Sequence, residues 1–362
     1  MAIDLNRIYK NKKIFITGHT GFKGSWLISW LHLLGADIKG YALAPENSFD
    51  LYNAIDGDKL CQSVIADIRD VEKLKSELLA FQPDFVFHLA AQPIVRVSYN
   101  IPLDTFSVNC VGTACILESL RFLEKPCVVV MITTDKVYHN QEKNYFYKEE
   151  DRLGGYDPYS ASKAASELII DSYRKSFLNP DKYENHQKSV SVARAGNVIG
   201  GGDWAKDRIM PDIIRSLNAN QSIPIRNPFA IRPWQHVLEP LCGYLTLGAK
   251  QIQNPILFAD AFNFGPYPTD NLLVKEIVQK AIQVWGTGDF NVISNKEDVH
   301  EAELLQLDIT KATKILDWHP LYNAEIALEK TVLWYKNLLL QNENAQTLIN
   351  NDIKDFTSIL NG

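Results

Sequence analysis

Long apolar runs, a concentration of basic charge and a regular cysteine spacing are all missing from this 362-residue sequence. No apolar run reaches the roughly 18 residues of a membrane-spanning helix, and the first residues, MAIDLNRIYKNKK, lack the apolar core of a signal peptide. The 37 Lys and Arg residues are dispersed and outnumbered by 43 Asp and Glu, whereas nucleic-acid binders usually concentrate basic charge on one face. The five cysteines lack the spacing of metal ligands. We therefore expect a cytoplasmic protein without a membrane, nucleic-acid or metal partner.

The apolar periodicity indicates an α/β fold. The length corresponds to about 2.4 domains of roughly 150 residues each. Up to about residue 200, short continuous apolar segments alternate with helical patterns, which is typical of a parallel sheet covered on both faces. We predict strands at 13–17, 38–43, 63–66, 84–89, 127–132 and 189–193, and helices at 24–34, 71–81, 103–123 and 159–177. The fold class that follows is a Rossmann-type doubly wound parallel sheet with a smaller, mostly C-terminal α/β substrate lobe.

The two lobes are expected to interleave in sequence. Three consecutive glycines at 200–202 and a series of prolines end the regular alternation. A further strand at 262–265 returns to the first lobe, and helices at 272–285 and 324–340 belong to the second. The predicted division is a dinucleotide-binding domain over 1–200, with further elements from about 234–265, and a substrate-binding lobe that takes most of 201–362.

A glycine-rich loop joins the first predicted strand to the first helix, with glycines at three-residue intervals. In dinucleotide folds such glycines permit a tight turn, close approach of the pyrophosphate and close packing of the helix on the strand. The helix N-terminus then presents free N–H groups and the positive end of its dipole to the phosphates. The alternative is an ordinary strand–helix turn. The predicted cofactor-binding residues of the loop are Gly18, His19, Gly21, Phe22, Lys23 and Gly24.

The second strand lacks the carboxylate that usually binds the adenosine ribose, because its end reads Gly40-Tyr41-Ala42-Leu43. Asp67, after the third strand, is the nearest carboxylate suited to the adenine end, with Ile68 beside it. An ordinary turn aspartate is the alternative for this position. Lys23 adds a positive charge beside the phosphate loop. The residues therefore leave NAD and NADP both open as cofactors.

Two groups of residues suggest proton transfer. Tyr159 and Lys163 are four residues apart, so on a helix they share one face. A lysine ammonium and a positively charged nicotinamide both favour the phenolate, so the pair predicts a lowered tyrosine pKa and a general base. Thr134, Asp135 and Lys136, at the end of the 127–132 strand, offer a hydroxyl, a carboxyl and an amine. The alternatives are a chance YxxxK pair and a capping Thr-Asp pair followed by a solvated lysine.

Five segments together resemble one enzyme family: GHTGFKGSWL, HLAAQPIVR, TTDKVY, YSASK and ARAGNVIGGGDW. Over roughly residues 10–320 the sequence is similar to the extended short-chain dehydrogenase/reductases that modify nucleotide sugars, and within them to the CDP-glucose 4,6-dehydratases. Lys136 stands where related dTDP-glucose dehydratases have Glu, and His19 and Lys23 stand where they have a small and an apolar residue. The resemblance implies NAD as the cofactor. It adds three residues to the cofactor site: Leu89, Ala90 and Ala91.

The resemblance also implies a mechanism for these residues. Tyr159 would take the C4 hydroxyl proton while hydride passes from C4 to NAD, Thr134 would share that hydrogen bond, and Lys163 would hold the nicotinamide ribose. Lys136, as a neutral amine, would remove the C5 proton, and Asp135 would protonate the departing C6 hydroxyl. Return of the hydride to C6 would give CDP-4-keto-6-deoxyglucose. Because no net redox change occurs, the reaction is that of a lyase.

Further residues are assigned to the nucleotide-sugar substrate, CDP-glucose, by the same resemblance. Asn197 matches the substrate-binding Asn of the family. Arg208 and Arg232 are expected at the diphosphate, because guanidinium groups suit phosphate oxygens, and Arg96 is expected at the sugar; an ordinary surface arginine is the alternative at each position. Other prominent side chains are expected to pack in the core: His88, Trp204, Trp234 and Trp318.

The resemblance further implies a homodimer or a dimer of dimers, built on the helices at 103–123 and 159–177. It implies a product used for a deoxysugar of a bacterial surface polysaccharide such as lipopolysaccharide. Two other functions remain open. A nucleotide-sugar 4-epimerase or reductase would share Tyr159, Lys163 and the glycine loop, but it does not need an Asp135–Lys136 pair. A non-catalytic dinucleotide sensor would be free to lose the Tyr–Lys pair.

Overall fold

A parallel sheet of seven strands lies at the centre of the computed structural model, which describes residues 3–206, 208–225, 227–270, 272–293 and 305–361, apart from the side chains of Ile231 and Arg232. In chain order the strands are β1 Lys13–Thr17, β2 Asp37–Ala42, β3 Gln62–Ile65, β4 Phe85–His88, β5 Cys127–Ile132, β6 Lys188–Ala195 and β7 Ala261–Phe264. Their order across the sheet is β7-β6-β5-β4-β1-β2-β3. The strand order therefore reverses between β1 and β4, where a doubly wound sheet opens its ligand crevice. The predicted fold class is confirmed.

Helices cover both faces of this sheet. In the described part of the chain they are α1 Leu5–Tyr9, α2 Phe22–Leu33, α3 Leu51–Ala54, α4 Val71–Phe81, α5 Val95–Asn100, α6 Pro102–Phe106, α7 Gly112–Arg121, α8 Pro158–Ser176, α9 Tyr183–His186, α10 Ile209–Asn218, α11 Leu238–Gln253, α12 Val274–Trp285, α13 Ala324–Leu340 and α14 Ala345–Leu360. Helices α4, α7 and α8 bury their apolar side chains on one face, and α2, α11 and α14 on the other. None of the helices in the described ranges has both the length and the apolar character needed to cross a membrane.

Short strands and short 3-10 and π-helical segments make up the rest of the regular structure in the described residues. Four pairs of short strands join Phe146–Tyr147 to Gln306–Leu307, Asn197–Ile199 to Trp234–His236, Ile223–Ile225 to Phe290–Val292 and Ile231–Arg232 to Leu272–Leu273. Segments of 3-10 helix lie at Gly57–Lys59, Asp135–Val137 and Pro180–Lys182, and π-helical segments at Ser107–Val111 and Ala312–Leu316. The first of these π segments interrupts the continuous helix predicted over 103–123.

Two neighbouring strands of the sheet, β5 and β6, are covered on both faces. Every residue of β5 and β6 is buried, because helices pack on both faces of the sheet. The strand expected at 262–265 is β7, which pairs in parallel with β6 and returns the chain to the sheet. The carboxyl ends of β1, β4 and β5 consequently meet at one edge, together with the start of α8.

Candidate active site

The loop between β1 and α2 is shaped to admit a phosphate group. Gly18 has φ +79°, and a Cβ atom there would lie 2.7 Å from the backbone nitrogen of Ala90. A Cβ atom on Gly24 would lie 2.1 Å from the Gly18 carbonyl oxygen, so only glycine allows α2 to pack this closely. A Cβ atom on Gly21, by contrast, would meet only the Gly18 carbonyl oxygen, at 3.5 Å. Gly21 caps α2 without a side-chain hydrogen bond, so the helix N-terminus stays open to an anion.

His19 of this loop is buried and Lys23 is half-buried, in different surroundings. The His19 ring covers Gly40 in β2, and its Nε2 lies 2.8 Å from Ser63 Oγ. Burial lowers the pKa of His19 to about 4, so the ring is neutral. Lys23 points the other way and donates a 3.4 Å hydrogen bond to the Tyr244 hydroxyl. Burial, followed by the positive charge of Arg208, lowers the pKa of Lys23 to about 7.

The chain turns sharply after β5 and places three polar side chains together. Thr134 Oγ1 donates to Asp135 Oδ1 at 2.9 Å and accepts from the Lys136 backbone N–H at 3.4 Å. Lys136 Nζ lies 3.4 Å from Asp135 Oδ1 and 3.4 Å from Asn197 Oδ1. The Asp135 side chain is 3% exposed and that of Lys136 is 25% exposed. A buried carboxyl therefore contacts an amine that still reaches solvent.

Helix α8 brings Tyr159 and Lys163 to the same place. The helix begins after Asp157, whose carboxylate accepts from the Ser160 backbone N–H at 2.9 Å. Lys163 Nζ donates to the Ile132 carbonyl oxygen, the last of β5, at 3.1 Å. The Thr134 hydroxyl is placed to lower the pKa of Tyr159. Residues from two separate sequence motifs thus share one site.

Burial dominates the electrostatics of the Tyr–Lys pair. It raises the pKa of Tyr159 to about 12, although the Thr134 hydrogen bond acts in the opposite direction. Without the nicotinamide, desolvation thus outweighs the positive charge of Arg208. The lowering of the tyrosine pKa beside a bound nicotinamide stays a prediction. Burial also lowers the pKa of Lys163 to about 8, against the attraction of the Glu167 carboxylate.

Comparison with known proteins identifies the family. A family model described as GDP-mannose 4,6 dehydratase matches residues 15–331. A CDP-glucose 4,6-dehydratase of Salmonella typhimurium is 44% identical over 356 residues, which cover 98% of this chain and 99% of that protein. The chain belongs to the GDP-mannose 4,6-dehydratase family. A UDP-glucose 4-epimerase of Mycoplasma pneumoniae is 23% identical over 340 residues, covering 90% of this chain and 97% of that protein.

A solved structure shares the fold of this family member. The crystal structure of a dTDP-glucose 4,6-dehydratase from Bacillus anthracis in complex with NAD matches with a TM-score of 0.74 at 21% sequence identity. The match covers 90% of this chain and 97% of that chain. At this identity the likeness concerns the fold, so the roles of individual residues rest on the geometry of the site.

The remaining predicted cofactor residues lie around the same crevice. Leu89, Ala90 and Ala91 follow β4, and the Ala90 backbone N–H donates to Thr17 Oγ1 at 3.2 Å beside the glycine loop. Ile68 is buried against Gly112. Asp67 forms an ion pair with Arg69 at 2.6 Å, and Arg69 hydrogen bonds lower the pKa of Asp67. Its carboxylate is thus held in a local turn.

The predicted substrate residues are placed less uniformly. Asn197 contacts Lys136, as described above. Arg208 donates to Asp203 at 2.8 Å, and its positive charge acts to lower the pKa of Tyr159. Arg96 is half-buried on α5. The side chain of Arg232 lies outside the described part of the structure.

The predicted core residues are buried or packed. His88 is 3% exposed, and its ring nitrogens contact Thr17 Oγ1 at 2.7 Å and Thr113 Oγ1 at 3.4 Å. Its prediction as a satisfied core histidine is confirmed. Trp234 and Trp318 are buried, and Trp204 packs edge-on against Tyr335.

Three residues near the site were missed by the sequence reasoning: Tyr244, Glu167 and Arg194. Tyr244 comes from α11, so only the tertiary fold brings it to Lys23. Glu167 does carry a sequence signal, because it extends the four-residue spacing of Tyr159 and Lys163 along the same helix face. Arg194 lies in the ARAGN segment and forms a buried ion pair with Glu167.

Proposed function

We propose that the protein is an NAD-dependent CDP-glucose 4,6-dehydratase, which converts CDP-glucose into CDP-4-keto-6-deoxyglucose with loss of water. The observation that carries this proposal is the cluster in which Thr134 and Lys136 both donate to Asp135, a carboxyl close enough to Tyr159 to act on its pKa. Tyr159 and Lys163 alone are sufficient to oxidise and re-reduce a sugar alcohol. Elimination of water from a 4-keto sugar needs in addition a base for C5 and an acid for the C6 hydroxyl. The 44% identity to a CDP-glucose 4,6-dehydratase supports the same substrate.

The cradle at the N-terminus of α2 fits a dinucleotide. Gly18 and Gly24 close the turn, whereas the space in front of Gly21 is open to a pyrophosphate group. Bound NAD would accept a hydride from C4 of the sugar and return a hydride to C6. Lys163 is placed to hold the cofactor ribose at the end of β5. The neutral His19 and the local Asp67–Arg69 pair leave the adenosine end without a free carboxylate among the predicted residues.

Oxidation at C4 is assigned to Tyr159. Its phenolate would take the C4 hydroxyl proton, and Thr134 would share the hydrogen bond. Since burial raises the pKa of Tyr159 to about 12, the base form depends on positive charge brought close to the ring. Arg208 supplies part of this charge, and Lys163, one helical turn along α8, and the bound nicotinamide would add to it.

Elimination is assigned to Asp135 and Lys136, whose protonation states change together. When the base takes the C5 proton and the acid releases a proton to the C6 hydroxyl, the pair changes from carboxylic acid and amine to carboxylate and ammonium. The ion pair at 3.4 Å therefore corresponds to the state after elimination. When hydride returns to C6, the Lys136 ammonium would give its proton back to C5. The proton that Tyr159 took from the C4 hydroxyl would then reprotonate Asp135, to which Thr134 donates.

Substrate binding is assigned to residues around the pair. Asn197 contacts Lys136 and would hold the sugar beside it. Arg208, now paired with Asp203, is placed to bind a phosphate, and we assign Arg232 to the same diphosphate. Arg96 on α5 is assigned to the sugar. We further propose that the enzyme works in the cytoplasm and supplies a deoxysugar pathway of a bacterial surface polysaccharide.

The test is to incubate the purified protein with CDP-glucose and NAD and to follow the 4-keto product by its absorbance in alkali. We expect a 6-deoxy-4-keto sugar, with UDP-glucose and dTDP-glucose as matched substrates that react much more slowly. Formation of a C4 epimer without a ketone would show a 4-epimerase instead. NAD binding without turnover of any of the three sugars would show a dinucleotide-binding protein.

We also propose that the enzyme is a homodimer, or a dimer of such dimers, through α6–α8. Large apolar side chains are exposed there: Leu103 is 85%, Leu168 62% and Val111 49% exposed. Leu168→Glu is expected to give a monomer in light scattering, because it places charge in the apolar contact. Leu257→Glu is the control, since Leu257 is similarly exposed, at 55%, away from these helices. Equal masses for both variants would contradict the proposed interface.

A further inference from the structure

A buried ion pair lies directly behind the proposed acid–base residues. Arg194 Nε donates to both oxygens of Glu167, at 2.9 and 3.0 Å, and the two side chains are only 5% and 4% exposed. A buried ion pair is weak evidence for stability, because an apolar pair of similar volume often stabilises the fold equally well. The position of this ion pair beside the proposed acid–base residues indicates a role other than stability.

The pair holds both ends of the segment that carries Thr134, Asp135 and Lys136. At one end, Thr133 Oγ1 donates to Glu167 Oε1 at 2.6 Å. At the other end, Arg194 Nη1 donates to the Tyr138 hydroxyl at 2.7 Å, and the guanidinium lies 4.9 Å from the centre of the Tyr138 ring.

The same pair joins the other two elements of the site. Glu167 is one helical turn beyond Lys163 on α8, and Arg194 on β6 precedes Asn197 by three residues. The Tyr138 hydroxyl continues the network by donating to Asn263 Oδ1 on β7 at 2.7 Å. All five side chains of the network are buried. The 133–138 segment, helix α8 and the end of β6 before Asn197 are thus all held by one buried ion pair.

We propose that Glu167 and Arg194 are positioning residues that align the Asp135–Lys136 segment with the Tyr159–Lys163 helix. Neither residue needs to touch the substrate for this role. A displacement of about 1 Å in a reacting group can reduce a rate by about a hundredfold, so precise alignment has a large kinetic effect. This proposal rests on the proposed function, because it assigns the alignment to the elimination of water.

Single hydroxyl groups test the network without leaving a buried charge unpaired. Thr133→Val removes only the hydroxyl that contacts Glu167. Its control is Thr331→Val, which removes an equally buried hydroxyl from α13, where it donates to the Ala327 carbonyl oxygen. Tyr138→Phe removes the contact to Arg194, and Tyr9→Phe is its control, because the buried Tyr9 hydroxyl donates to the Leu245 carbonyl oxygen instead. Thr133→Ser keeps the hydroxyl and serves as the rescue variant.

We expect Thr133→Val and Tyr138→Phe to lower kcat for the 4-keto product about tenfold while KM for CDP-glucose stays within about twofold. The two controls and Thr133→Ser should keep kcat within about twofold of the wild type. In the protein without ligands, backbone amides of 133–138 should exchange with deuterium about fivefold faster in the two test variants only.

Different outcomes separate the two proposals. A wild-type protein that forms no 4-keto sugar would contradict the proposed function, while amide exchange would still show whether the ion pair holds the 133–138 segment. Test variants with the same kcat as their controls would overturn the positioning role, even if amide exchange is faster. The role is also overturned if the 133–138 amides exchange no faster in the two test variants than in their controls.

Discussion

Burial sets the acid–base properties of the residues on which the first hydride step depends. The pKa of Tyr159 is raised to about 12 and that of Lys163 is lowered to about 8, and desolvation is the largest cause of both shifts. At neutral pH Tyr159 therefore stays protonated and neutral until additional positive charge approaches, whereas Lys163 still carries its proton. The proposed base Tyr159 would thus work only in a loaded site.

Tyr159→Phe removes the proposed base and keeps the aromatic ring. We expect turnover to fall by roughly 10²–10⁴-fold, the usual contribution of a positioned base, with binding of CDP-glucose retained. Steady-state assay and calorimetric titration measure the two quantities. Tyr173→Phe on the same helix is the control and should leave turnover unchanged, since the Tyr173 hydroxyl contacts Glu118 instead. Turnover of Tyr159→Phe within threefold of the wild type would remove Tyr159 from this role.

In the proposed mechanism, Asp135 and Lys136 divide the elimination between them. Asp135→Asn keeps the shape of the side chain but cannot deliver a proton, and Lys136→Met keeps the apolar stem without the amine. Both variants should still form NADH when CDP-glucose is added, because C4 oxidation depends on Tyr159. Neither should form the 6-deoxy product efficiently.

Solvent deuterium separates the two roles. Lys136→Met should suppress exchange of the C5 hydrogen, whereas Asp135→Asn should permit exchange but block loss of the C6 hydroxyl. Nuclear magnetic resonance of the recovered sugar measures both. A Lys136→Met enzyme that makes the 6-deoxy product at the wild-type rate would contradict the assignment of Lys136 as the C5 base.

At the level of elements, the strands of the central sheet could be predicted from sequence, whereas the short strands and some helices could not. The segment of β5 is a continuous apolar run because both faces of the sheet are covered. The π segment at Ser107–Val111 does not interrupt the apolar pattern, so a single helix over 103–123 was predicted instead. Helix α14 was missed, although Ile349, Ile353 and Phe356 follow helical spacing and are buried.

The candidate site shows the same division. Residues within one motif, such as Thr134, Asp135 and Lys136, could be found because sequence neighbours stay together in a tight turn. The contacts of Lys23 with Tyr244 and of Glu167 with Arg194 join positions far apart in the chain. Such contacts depend on how helices pack on the sheet, which periodicity does not specify.

The glycine loop allows a paired test at the start of α2. Gly21→Ala should fold normally, because its Cβ meets only one atom at 3.5 Å, but the methyl group would occupy the approach of the pyrophosphate. We expect NAD affinity to fall at least about tenfold with an unchanged unfolding midpoint. Gly24→Ala should instead lower the midpoint, because its Cβ would lie 2.1 Å from the Gly18 carbonyl oxygen. Calorimetry and thermal unfolding distinguish the two, and a normal NAD affinity in Gly21→Ala would contradict the proposed phosphate site.

At the level of the whole molecule, Glu239 links helix α11 to the segment before α13. It lies at the start of α11, which packs on the central sheet, and its carboxylate accepts from the backbone N–H groups of Leu321 and Tyr322, at 3.0 and 2.6 Å. These two residues precede helix α13. Burial raises the pKa of Glu239 to about 8, although the two N–H groups act in the opposite direction. The contact between α11 and the segment before α13 thus depends on a carboxyl group that is protonated near neutral pH.

This raised pKa predicts how stability changes with pH. The unfolded chain releases the Glu239 proton near the ordinary value of 4.5, whereas the folded protein keeps it until about pH 8. Between these values the folded state binds one more proton, so the free energy of unfolding decreases as pH rises, by about 1.4 kcal/mol per pH unit from this group. Glu239→Gln lacks the titration and should therefore gain stability relative to the wild type over pH 5–8.

Thermal unfolding of the wild type and Glu239→Gln at several pH values measures this difference. We expect the unfolding midpoint of the variant to rise relative to the wild type by roughly 2 °C per pH unit between pH 5 and 8. The buried histidines titrate in both proteins, so their contribution cancels in the comparison. Glu329→Gln is the control, because it makes the same chemical change at an exposed position and should show no such trend. A difference between Glu239→Gln and the wild type that does not change with pH would show that Glu239 is ionised in the folded protein.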